Sequence, residues 1–368
     1  MATVKLPAVR ADDAFGEQVR SHYTVEENSN KPVDLVKLEE EREKRKGKYS
    51  QIAHDYYELA TLNLEFGWNR KFHFGPYLDK EQSIREALAA HDHYQFLTMG
   101  VKPGMRGLDA GCGIGEPARD YVKWADVHIT GVTITQFQVD RATQYAEEEG
   151  LSDKVDFVRA DFCQMPFPDN TFDFVYAQEA TVHAPELRDV YTEICRVLKP
   201  GGVFGVGEWC MTDKFDPKNE HHIDIRRRIE RGNGIANMKT TAEALEEEQF
   251  GIGIERTPPR AFFQTLQCVI FDMIYVIASK FELLKGKVGY QSKVDTDTLL
   301  EALNTQGQAV WGLRDGGKYE IFTPCYQMYG RKPENWVHPQ PEKAKEAAIR
   351  VAAAAAAKTT TDGEAAVV

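Results

Sequence analysis

Three glycines at alternating positions follow an acidic residue in the stretch "LDAGCGIGEPAR". Gly111, Gly113 and Gly115 come after Asp109, at the end of a short apolar run. Because glycine has no side chain, backbone amides in such a loop can approach a ligand closely. The loop is therefore predicted to hold a small molecule. By itself it is a weak signal, since nucleotide-dependent dehydrogenases use a similar turn.

The charges near this loop favour a ligand other than a dinucleotide. A dinucleotide fold usually carries an acid about 20 residues further on to bind a ribose, but the corresponding strand end here reads "GVTITQFQ". A phosphate cradle would gain from a lysine or arginine, whereas the loop offers Glu116. A negative residue repels pyrophosphate and tolerates a cation. A zwitterionic ligand with a sulfonium fits the loop better, which disfavours a nicotinamide oxidoreductase.

Acidic and histidine side chains follow two later strands. In "QEATVHAP", Glu179 and His183 are four residues apart, and Glu208 ends the next strand in "GEW". A buried carboxylate and a histidine can stabilise a cation and accept a proton, so all three are catalytic candidates with the base left open. For Glu208, an ion pair within the scaffold is an equal alternative. The "HDH" run lacks a third ligand, so we predict that His91 is structural and that no metal is bound.

Composition narrows the class of protein. The chain has 368 residues and a net charge of −12, which argues against nucleic-acid binding because phosphate contacts rely on concentrated positive charge. Its six cysteines show no CxxC pair, so neither a disulfide framework nor a zinc site is expected. No signal peptide or membrane span is evident. We predict a cytoplasmic protein, in which the apolar stretch 261–281 forms a buried or interfacial helix.

Strand and helix patterns alternate through the middle of the chain. The predicted strands are "RGLDAG", "VHITGV", "VDFVRAD", "FDFVYAQ" and "VFGVGEW", and amphipathic helical segments lie between them. Such alternation predicts right-handed crossovers and a parallel sheet covered on both faces. Ligands of these sheets bind at the carboxyl ends of the strands. The glycine loop and the acidic candidates fall at those ends.

The quoted motifs, with "ADF", "VLKPGG" and "GEWCMTD", occur in the order and spacing of S-adenosylmethionine-dependent methyltransferases. Together with "EFGW", "FHF", "AAHDHY", "GNGI", "GGKYEIFTP" and "RKPEN", the chain more narrowly resembles the sterol 24-C-methyltransferase family from about residue 56 to 335. The resemblance implies an α/β fold. It would be a doubly wound, Rossmann-like class I methyltransferase sheet, with an N-terminal helical cap and a C-terminal α+β region.

The domain organisation follows from this resemblance. We expect a charged, partly flexible arm over 1–48, a helical cap over 49–100, a cofactor-binding core over 101–215, an acceptor-binding region over 216–335 and a low-complexity tail over 336–368. The charged run at the end of the arm is predicted to be solvated. The alanine-rich tail is predicted to be a frayed helix that buries almost nothing, followed by disorder.

The resemblance also implies S-adenosylmethionine as the cofactor and residues that bind it. Asp109, Gly111 and Gly113 should line its methionine and ribose side, Asp161 and Phe162 should meet the adenine, and Gln178 should lie beside the sulfonium. The "GVTITQFQ" segment departs from the asparagine-rich sequence usual in sterol methyltransferases. It is closer to the "GxTLSxxQ" of cyclopropane synthases and tocopherol methyltransferases, which adds Thr133, Ile134 and Gln138 as cofactor contacts.

The implied reaction sets requirements for the acceptor pocket. An alkene in a sterol side chain is a poor nucleophile, so its methylation resembles carbocation chemistry. The site needs a dry apolar pocket, electron-rich faces or carboxylates near the cation, and one base. The aromatic-rich segment before the sheet supplies candidates, and we expect Tyr57, Phe66, Trp68 and Phe72 to line the pocket.

Several departures from the family pattern bear on the acceptor. Gly207 replaces an aromatic residue, Asn233 replaces an acid, and "LEFGW" occupies the place of a tyrosine-rich sequence. Loss of the ring at Gly207 is expected to enlarge the pocket and remove a cation–π face. A C24-methyltransferase acting on a Δ24-sterol or triterpenoid is preferred. A paralogue for another small, secondary-metabolite acceptor is the alternative, and a non-catalytic cofactor-binding subunit is less favoured.

The expected partners follow from the preferred function. The acceptor is a small apolar molecule, a sterol or related terpenoid, and no nucleic acid is involved. A sterol would be delivered from a bilayer or lipid droplet, so we expect peripheral contact with the endoplasmic reticulum or lipid droplets. A homo-oligomer is also expected.

Overall fold

A computed structural model describes residues 35–67, 69–76, 79, 81–247, 255–256, 309 and 311–365. The structural statements below concern these residues. Trp68, the side chain of Phe66 and the apolar stretch 261–281, for which the sequence made predictions, lie outside them.

The described chain is organised around a sheet of seven strands in the order β3-β2-β1-β4-β5-β7-β6. Adjacent strands from β3 to β5 pair in parallel, whereas β7 runs antiparallel to both β5 and β6. The strands are β1 Arg106–Ala110, β2 His128–Thr133, β3 Val155–Arg159, β4 Phe172–Gln178, β5 Leu198–Met211, β6 Glu255–Arg256 and β7 Phe322–Arg331. The predicted parallel strands and α/β fold are therefore confirmed, and β7 adds an antiparallel edge.

Helices precede, connect and follow these strands. Those before the sheet are α1 Leu35–Lys46, α2 Tyr49–Gly67 and α3 Ile84–Met99. The crossovers are α4 Glu116–Ala125, α5 Gln136–Glu148 and α6 Leu187–Val197, and a 3₁₀ turn, Thr181–His183, follows β4. The later helices are α7 Glu220–Gly232, α8 Thr241–Glu247, α9 over 311–318 and α10 Pro341–Ala365. None of the helices in the described part of the chain combines the length and apolar character that crossing a bilayer requires.

Local sequence explains where several helices begin and end. Ser83 and Glu86 form a reciprocal capping box at the start of α3, and Gly100 adopts the left-handed conformation at its end. Thr135 caps α5 by accepting a hydrogen bond from the amide of Gln138 at 3.1 Å. The cap fixes the angle at which the chain leaves β2, and so places the residues that follow the strand.

Apolar side chains cover both faces of the sheet. One core cluster contains Leu108, Val175 and Phe204 and packs under α6. The other contains Phe96, Tyr121 and Phe174 and packs α3 and α4 on the opposite face. This two-sided burial leaves the ends of the strands as the exposed part of the sheet, which is where a ligand can bind.

The end of the N-terminal arm is not the solvated run that the sequence predicted. Arg45 on α1 lies 2.9 Å from the Glu230 carboxylate on α7, Arg231 pairs with Glu41, and Lys46 lies 2.9 Å from Glu186. Buried Glu230 pairs with Arg226 on its own helix at 2.9 Å, and Arg45 supplies a second cation from a distant part of the chain. The charged helix therefore docks on α7, which fixes the start of α2 just after it.

The prediction for the alanine-rich tail is confirmed in its main point over 341–365. This segment forms the helix α10, in which Ala347 is buried and most of the other described side chains are exposed. Lys343 lies 2.6 Å from Asp189 and Arg350 lies 2.9 Å from Glu193. These two ion pairs with α6 are contacts that the sequence did not predict.

Removing one of the cations that hold α1 should destabilise the fold. Arg45→Met leaves Glu230, whose side chain is 1% exposed, with fewer partners, and should lower the free energy of unfolding by about 1–3 kcal/mol. Glu39→Gln is the control, because its pair with Arg42 is exposed and worth at most about 0.5 kcal/mol. Chemical denaturation measures both, and equal effects would contradict the account.

The same experiment has a pH signature. Burial would raise the pKa of Glu230, but Arg226 and Arg45 hold it below its ordinary value of 4.5. A carboxyl with a lowered pKa in the folded state stabilises the protein above that ordinary value and loses the contribution as pH falls. The difference in the free energy of unfolding between the wild type and Arg45→Met should therefore become smaller below pH 4.5.

Candidate active site

A cavity opens at the carboxyl ends of β1 to β4, with α2 and the segment 69–76 forming the rest of its wall. Its lining residues are Tyr49, Ser50, Ala53, Tyr57, Arg70, Phe72, His73, Gly111, Cys112, Gly113, Thr133, Ile134, Gln138, Ala160, Asp161, Phe162, Gln178, Glu179, Ala180 and His183. Most of the predicted site residues thus meet in one place, including Tyr57 and Phe72 from the predicted pocket.

The glycine loop after β1 forms one wall by exposing its backbone. Gly111 has φ 95°, and a Cβ there would lie 2.3 Å from Ala180 Cβ. Gly113 has φ 52°, and its Cβ would lie 3.2 Å from the Phe72 ring. Neither position accepts a side chain without strain or a clash, so the loop presents main chain to the cavity. Such a surface fits a ligand that must come close to the backbone.

Asp109 lies below this loop and is not among the lining residues. Its carboxyl group is buried and accepts a hydrogen bond from the Tyr176 hydroxyl at 2.8 Å. Burial raises its pKa to about 7. In this arrangement Asp109 supports the end of β1 from the protein interior.

Polar side chains after β2 connect the sheet to α2. The Thr133 hydroxyl donates to Gln138 Oε1, and Gln138 Nε2 donates to Thr61 Oγ1 at 3.0 Å. Thr61 in turn donates to the carbonyl of Tyr57 at 2.6 Å. Through this series, the residues implied by the "GVTITQFQ" segment hold the helix that carries Tyr57, while Ile134 lies beside them in the wall.

The end of β3 contributes an acid and an aromatic ring. Asp161 Oδ2 accepts from the Tyr49 hydroxyl at 2.6 Å, and its Oδ1 accepts from the amide of Cys163 at 2.9 Å. Phe162 follows and is partly buried in the wall. Together they provide a carboxylate acceptor next to a flat apolar surface.

Glu179 is the buried acid of the cavity. Its Oε1 accepts from the amide of Phe74 at 2.6 Å, and its Oε2 accepts from Trp209 Nε1 at 2.6 Å. Its backbone has φ 54°, a conformation that non-glycine residues rarely adopt and that costs of order 1–3 kcal/mol. Burial raises its pKa to about 8, against the charge of His73 and the two hydrogen bonds, which lower it. A strained, buried carboxyl group in a cavity is a candidate functional position.

His183 forms a pair with Tyr57 at the same cavity. The Tyr57 hydroxyl is 2.9 Å from His183 Nε2, and His183 Nδ1 is 3.2 Å from the carbonyl oxygen of Gly234. Because a carbonyl only accepts, Nδ1 carries the proton and Nε2 accepts from Tyr57. Burial lowers the pKa of His183 to about 4. The imidazole is therefore neutral near physiological pH and reaches the cavity through the Tyr57 hydroxyl.

Glu208 lies behind the cavity wall instead of in it. Its carboxylate accepts from the Thr181 hydroxyl and from the amide of Trp209, the latter at 2.8 Å. Burial raises its pKa to about 7. Glu208 thus holds the 3₁₀ turn that carries His183 and the strand that carries Trp209.

Sequence reasoning missed a buried charge cluster under the segment 69–76. The Asp92 carboxylate is 2.7 Å from Lys71 Nζ and 3.1 Å from His73 Nε2, and it accepts from Gln178 Nε2 at 3.2 Å. Burial opposes ionisation of Asp92, but the charges of His73 and Lys71 hold its pKa well below the usual range. Only the motifs "FHF" and "HDH" carried a signal, and neither indicates that the two regions pair.

His91 is buried beside this cluster. Burial and the charge of His73 lower its pKa to about 4, and Gln327 Nε2 lies 3.3 Å from its Nδ1. Within the described ranges, no group of histidine, cysteine and acidic side chains is arranged to hold a metal ion.

The expected enlargement at Gly207 is wrong. A Cβ at Gly207 would lie 3.0 Å from Gln178 Oε1 and 3.6 Å from His91 Nε2. Buried polar side chains fill the space that the missing ring was expected to open. At a second of these departures, the Asn233 side chain donates to the carbonyl of Ile229 at 2.8 Å and so satisfies a carbonyl group at the end of α7.

Comparison with family models matches a methyltransferase domain over residues 108–206 and a sterol methyltransferase C-terminal region over residues 295–334. Among solved structures, a putative sarcosine dimethylglycine methyltransferase from Galdieria sulphuraria superposes with a TM-score of 0.57 at 25% identity, covering 75% of this chain and 98% of that one. The [4+2]-cyclase SpnF has a TM-score of 0.58 at 25% identity, covering 77% and 97%.

Sequence relatives agree with these matches. The chain is 50% identical to sterol 24-C-methyltransferase ERG6A of Gibberella zeae, covering 83% of this chain and 84% of the relative. It is 43% identical to sterol 24-C-methyltransferase erg-4 of Neurospora crassa over 80% and 83%, and 39% identical to cycloartenol-C-24-methyltransferase of Arabidopsis thaliana over 79% and 90%. With its fold, its glycine loop and these relatives, the chain belongs to the sterol 24-C-methyltransferase family and is a methyltransferase, as its motifs indicated.

Proposed function

We propose that the protein transfers a methyl group from S-adenosylmethionine to C24 of a Δ24-sterol or related triterpenoid side chain. The observation that carries this proposal is Glu179, a buried carboxyl next to the glycine loop and among aromatic rings. Methylating an isolated alkene creates a positive charge on carbon. A carboxylate held in an apolar wall is the group that such a cation requires.

The cavity wall fits the cofactor. We propose that the backbone at Gly111 and Gly113 holds its amino-acid and ribose portions, with Gln178 beside the sulfur. Thr133, Ile134 and Gln138 would contact the ribose side, and Asp161 and Phe162 the adenine. Asp109 would act by supporting the loop from below. S-adenosylmethionine, when bound, supplies an electrophilic methyl group on a positively charged sulfur.

Glu179 is suited to stabilise the side-chain cation. The amide of Phe74 and the indole of Trp209 fix both of its oxygens, so the carboxylate needs no reorganisation when charge develops. The rings of Tyr57 and Phe72, which line the same cavity, would add electron-rich surfaces. With a pKa of about 8 in the free protein, the group is mostly protonated near neutral pH. A nearby cation favours its ionised form.

The pair of Tyr57 and His183 is suited to remove the final proton. A C–H bond next to a carbocation is strongly acidic, so a weak neutral base is sufficient. The Tyr57 oxygen can accept this proton while its own proton passes 2.9 Å to His183 Nε2, and the C–H electrons form the new alkene. His183 acts through Tyr57 in this proposal. Glu208 is a positioning residue, because it holds the turn that carries His183.

A sterol acceptor places the reaction at a membrane surface. Because sterols partition into bilayers, we propose that the protein makes peripheral contact with the endoplasmic reticulum or lipid droplets to reach its substrate.

A methyl-transfer assay tests the function. Purified protein, isotopically labelled S-adenosylmethionine and liposomes that contain lanosterol or zymosterol should yield a labelled sterol, detected by mass spectrometry. Protein should also sediment with these liposomes at low salt. The same assay is run with a crude lipid extract. Label on another component of the extract, with none on either sterol, would contradict the proposal that the acceptor is a sterol and would support the alternative acceptor. Protein left in the supernatant would contradict membrane contact.

The proposed base makes a separate prediction. His183→Ala and Tyr57→Phe should each lower the turnover rate by roughly 10²–10⁴-fold, because a positioned base contributes that much. Since the two residues act as a unit, the double variant should lose little more than either single variant. Binding of S-adenosylhomocysteine, measured by calorimetry, should persist in all three.

The control variant is Tyr56→Phe, which removes the hydroxyl of the adjacent ring and leaves the Tyr57–His183 bond in place. It should retain a near-normal turnover rate. If the fold reductions in turnover rate of the two single variants multiply in the double variant, Tyr57 and His183 act independently. That result would contradict the proposed proton path.

A further inference from the structure

We propose that Tyr49 determines cofactor specificity: it fixes Asp161 as an acceptor that selects a purine with an amino group over one with an oxo group. The inference rests on the proposed function, because it concerns how the same cavity recognises the base of its cofactor. Tyr49 carries no sequence signal for this role, since it is 112 residues away from Asp161 in the chain.

The geometry fixes the carboxylate at both oxygens. The Tyr49 hydroxyl donates to Oδ2 at 2.6 Å, and the amide of Cys163 donates to Oδ1 at 2.9 Å. An ionised carboxylate offers about four acceptor positions on its two oxygens. The two protein donors therefore set its plane and leave acceptor capacity for a ligand. Tyr49 and Asp161 both line the cavity, so this capacity is available there.

The surroundings suit a flat heterocycle. Phe162 lies next to Asp161 in the cavity wall, and a Cβ at Gly111 would be 3.9 Å from its ring. Ser50 and Ala53, from the same helix as Tyr49, complete this part of the wall with small side chains. A planar base can thus stack on Phe162 while its edge faces the carboxylate.

The charges set the direction of the preference. Burial and the nearby Asp161 raise the pKa of Tyr49, so the phenol stays protonated and remains a donor to the carboxylate. An ionised carboxylate only accepts hydrogen bonds. It attracts the exocyclic amine of adenine and repels the carbonyl oxygen of hypoxanthine. If Tyr49 is removed, the carboxylate can rotate away from the edge of the base, and part of this discrimination is lost.

Calorimetric binding of two ligands tests the proposal without turnover. S-adenosylhomocysteine and S-inosylhomocysteine differ by the amino and oxo groups. The wild type should prefer the first, and Tyr49→Phe should reduce that preference by roughly five- to tenfold, about the net contribution of one ordinary hydrogen bond. Asp161→Ala should nearly abolish the preference. The matched control is Tyr56→Phe on the same helix, which should leave the ratio of affinities unchanged.

The outcomes separate this inference from the function on which it rests. If Tyr49→Phe lowers the affinity for both ligands equally, Tyr49 has a merely structural role and the inference is overturned. The inference is also overturned if neither affinity changes. In both cases the wild type still binds S-adenosylhomocysteine, and the proposed function stands. A wild-type protein that binds neither ligand would instead overturn the proposed function, and this inference with it.

Discussion

The ionised carboxylate of Asp92, wholly buried next to the cavity, is the constraint on which the site depends. A buried charge is costly unless cations and donors meet it. Lys71 and His73 come to it from the segment 69–76, and Gln178 comes from the end of β4. These contacts tie the segment 69–76 and the end of β4 to α3, which carries Asp92. The cluster therefore fixes the wall of the cavity against the sheet.

The position of Glu179 follows from this arrangement. Once Lys71 and His73 are held, the amide of Phe74 lies where it can donate to Glu179 Oε1. The strained backbone of Glu179 directs its carboxyl between that amide and the indole of Trp209. Two buried acids thus take opposite states. Asp92 is ionised by its cations, whereas burial raises the pKa of Glu179 to about 8, so that this carboxyl group is mostly neutral until a nearby cation favours its ionised form.

The sequence predicts the parts of this protein that depend on local pattern. The period of apolar residues identified the parallel strands, and the glycine spacing identified a loop whose conformation only glycine adopts easily, as at Gly111. Contacts between distant residues carried no such signal. Tyr57 and His183 are 126 positions apart, and Arg45 and Glu230 are 185 apart. The charged sequence of α1 does not reveal that it pairs with a buried acid far along the chain. The prediction that α1 is solvated was therefore wrong.

Gly207 shows that the effect of one replaced residue on the size of a pocket cannot be predicted from that residue alone. A smaller residue was expected to open space, but Gln178 and His91 occupy it. A smaller residue enlarges a pocket only if neighbouring side chains leave the space empty. Here the neighbouring side chains belong to the polar network around Asp92. The space beside Gly207 is therefore occupied by polar side chains of that network.

The central claim is that the Glu179 carboxylate faces a positive charge on the acceptor. The most direct measurement compares two sterols that differ only at the end of the side chain, one with a trimethylammonium group and the other with its neutral tert-butyl isostere. Binding is measured with S-adenosylhomocysteine present, in the wild type and in Glu179→Gln.

The wild type is expected to bind the cation at least roughly tenfold more tightly than the neutral isostere at about pH 9, because a buried carboxylate favours a nearby positive charge. This preference should decline as pH falls through about 8, where Glu179 gains a proton. Glu179→Gln should show neither the preference nor its pH dependence. An equal preference for the cation in Glu179→Gln would contradict the claim.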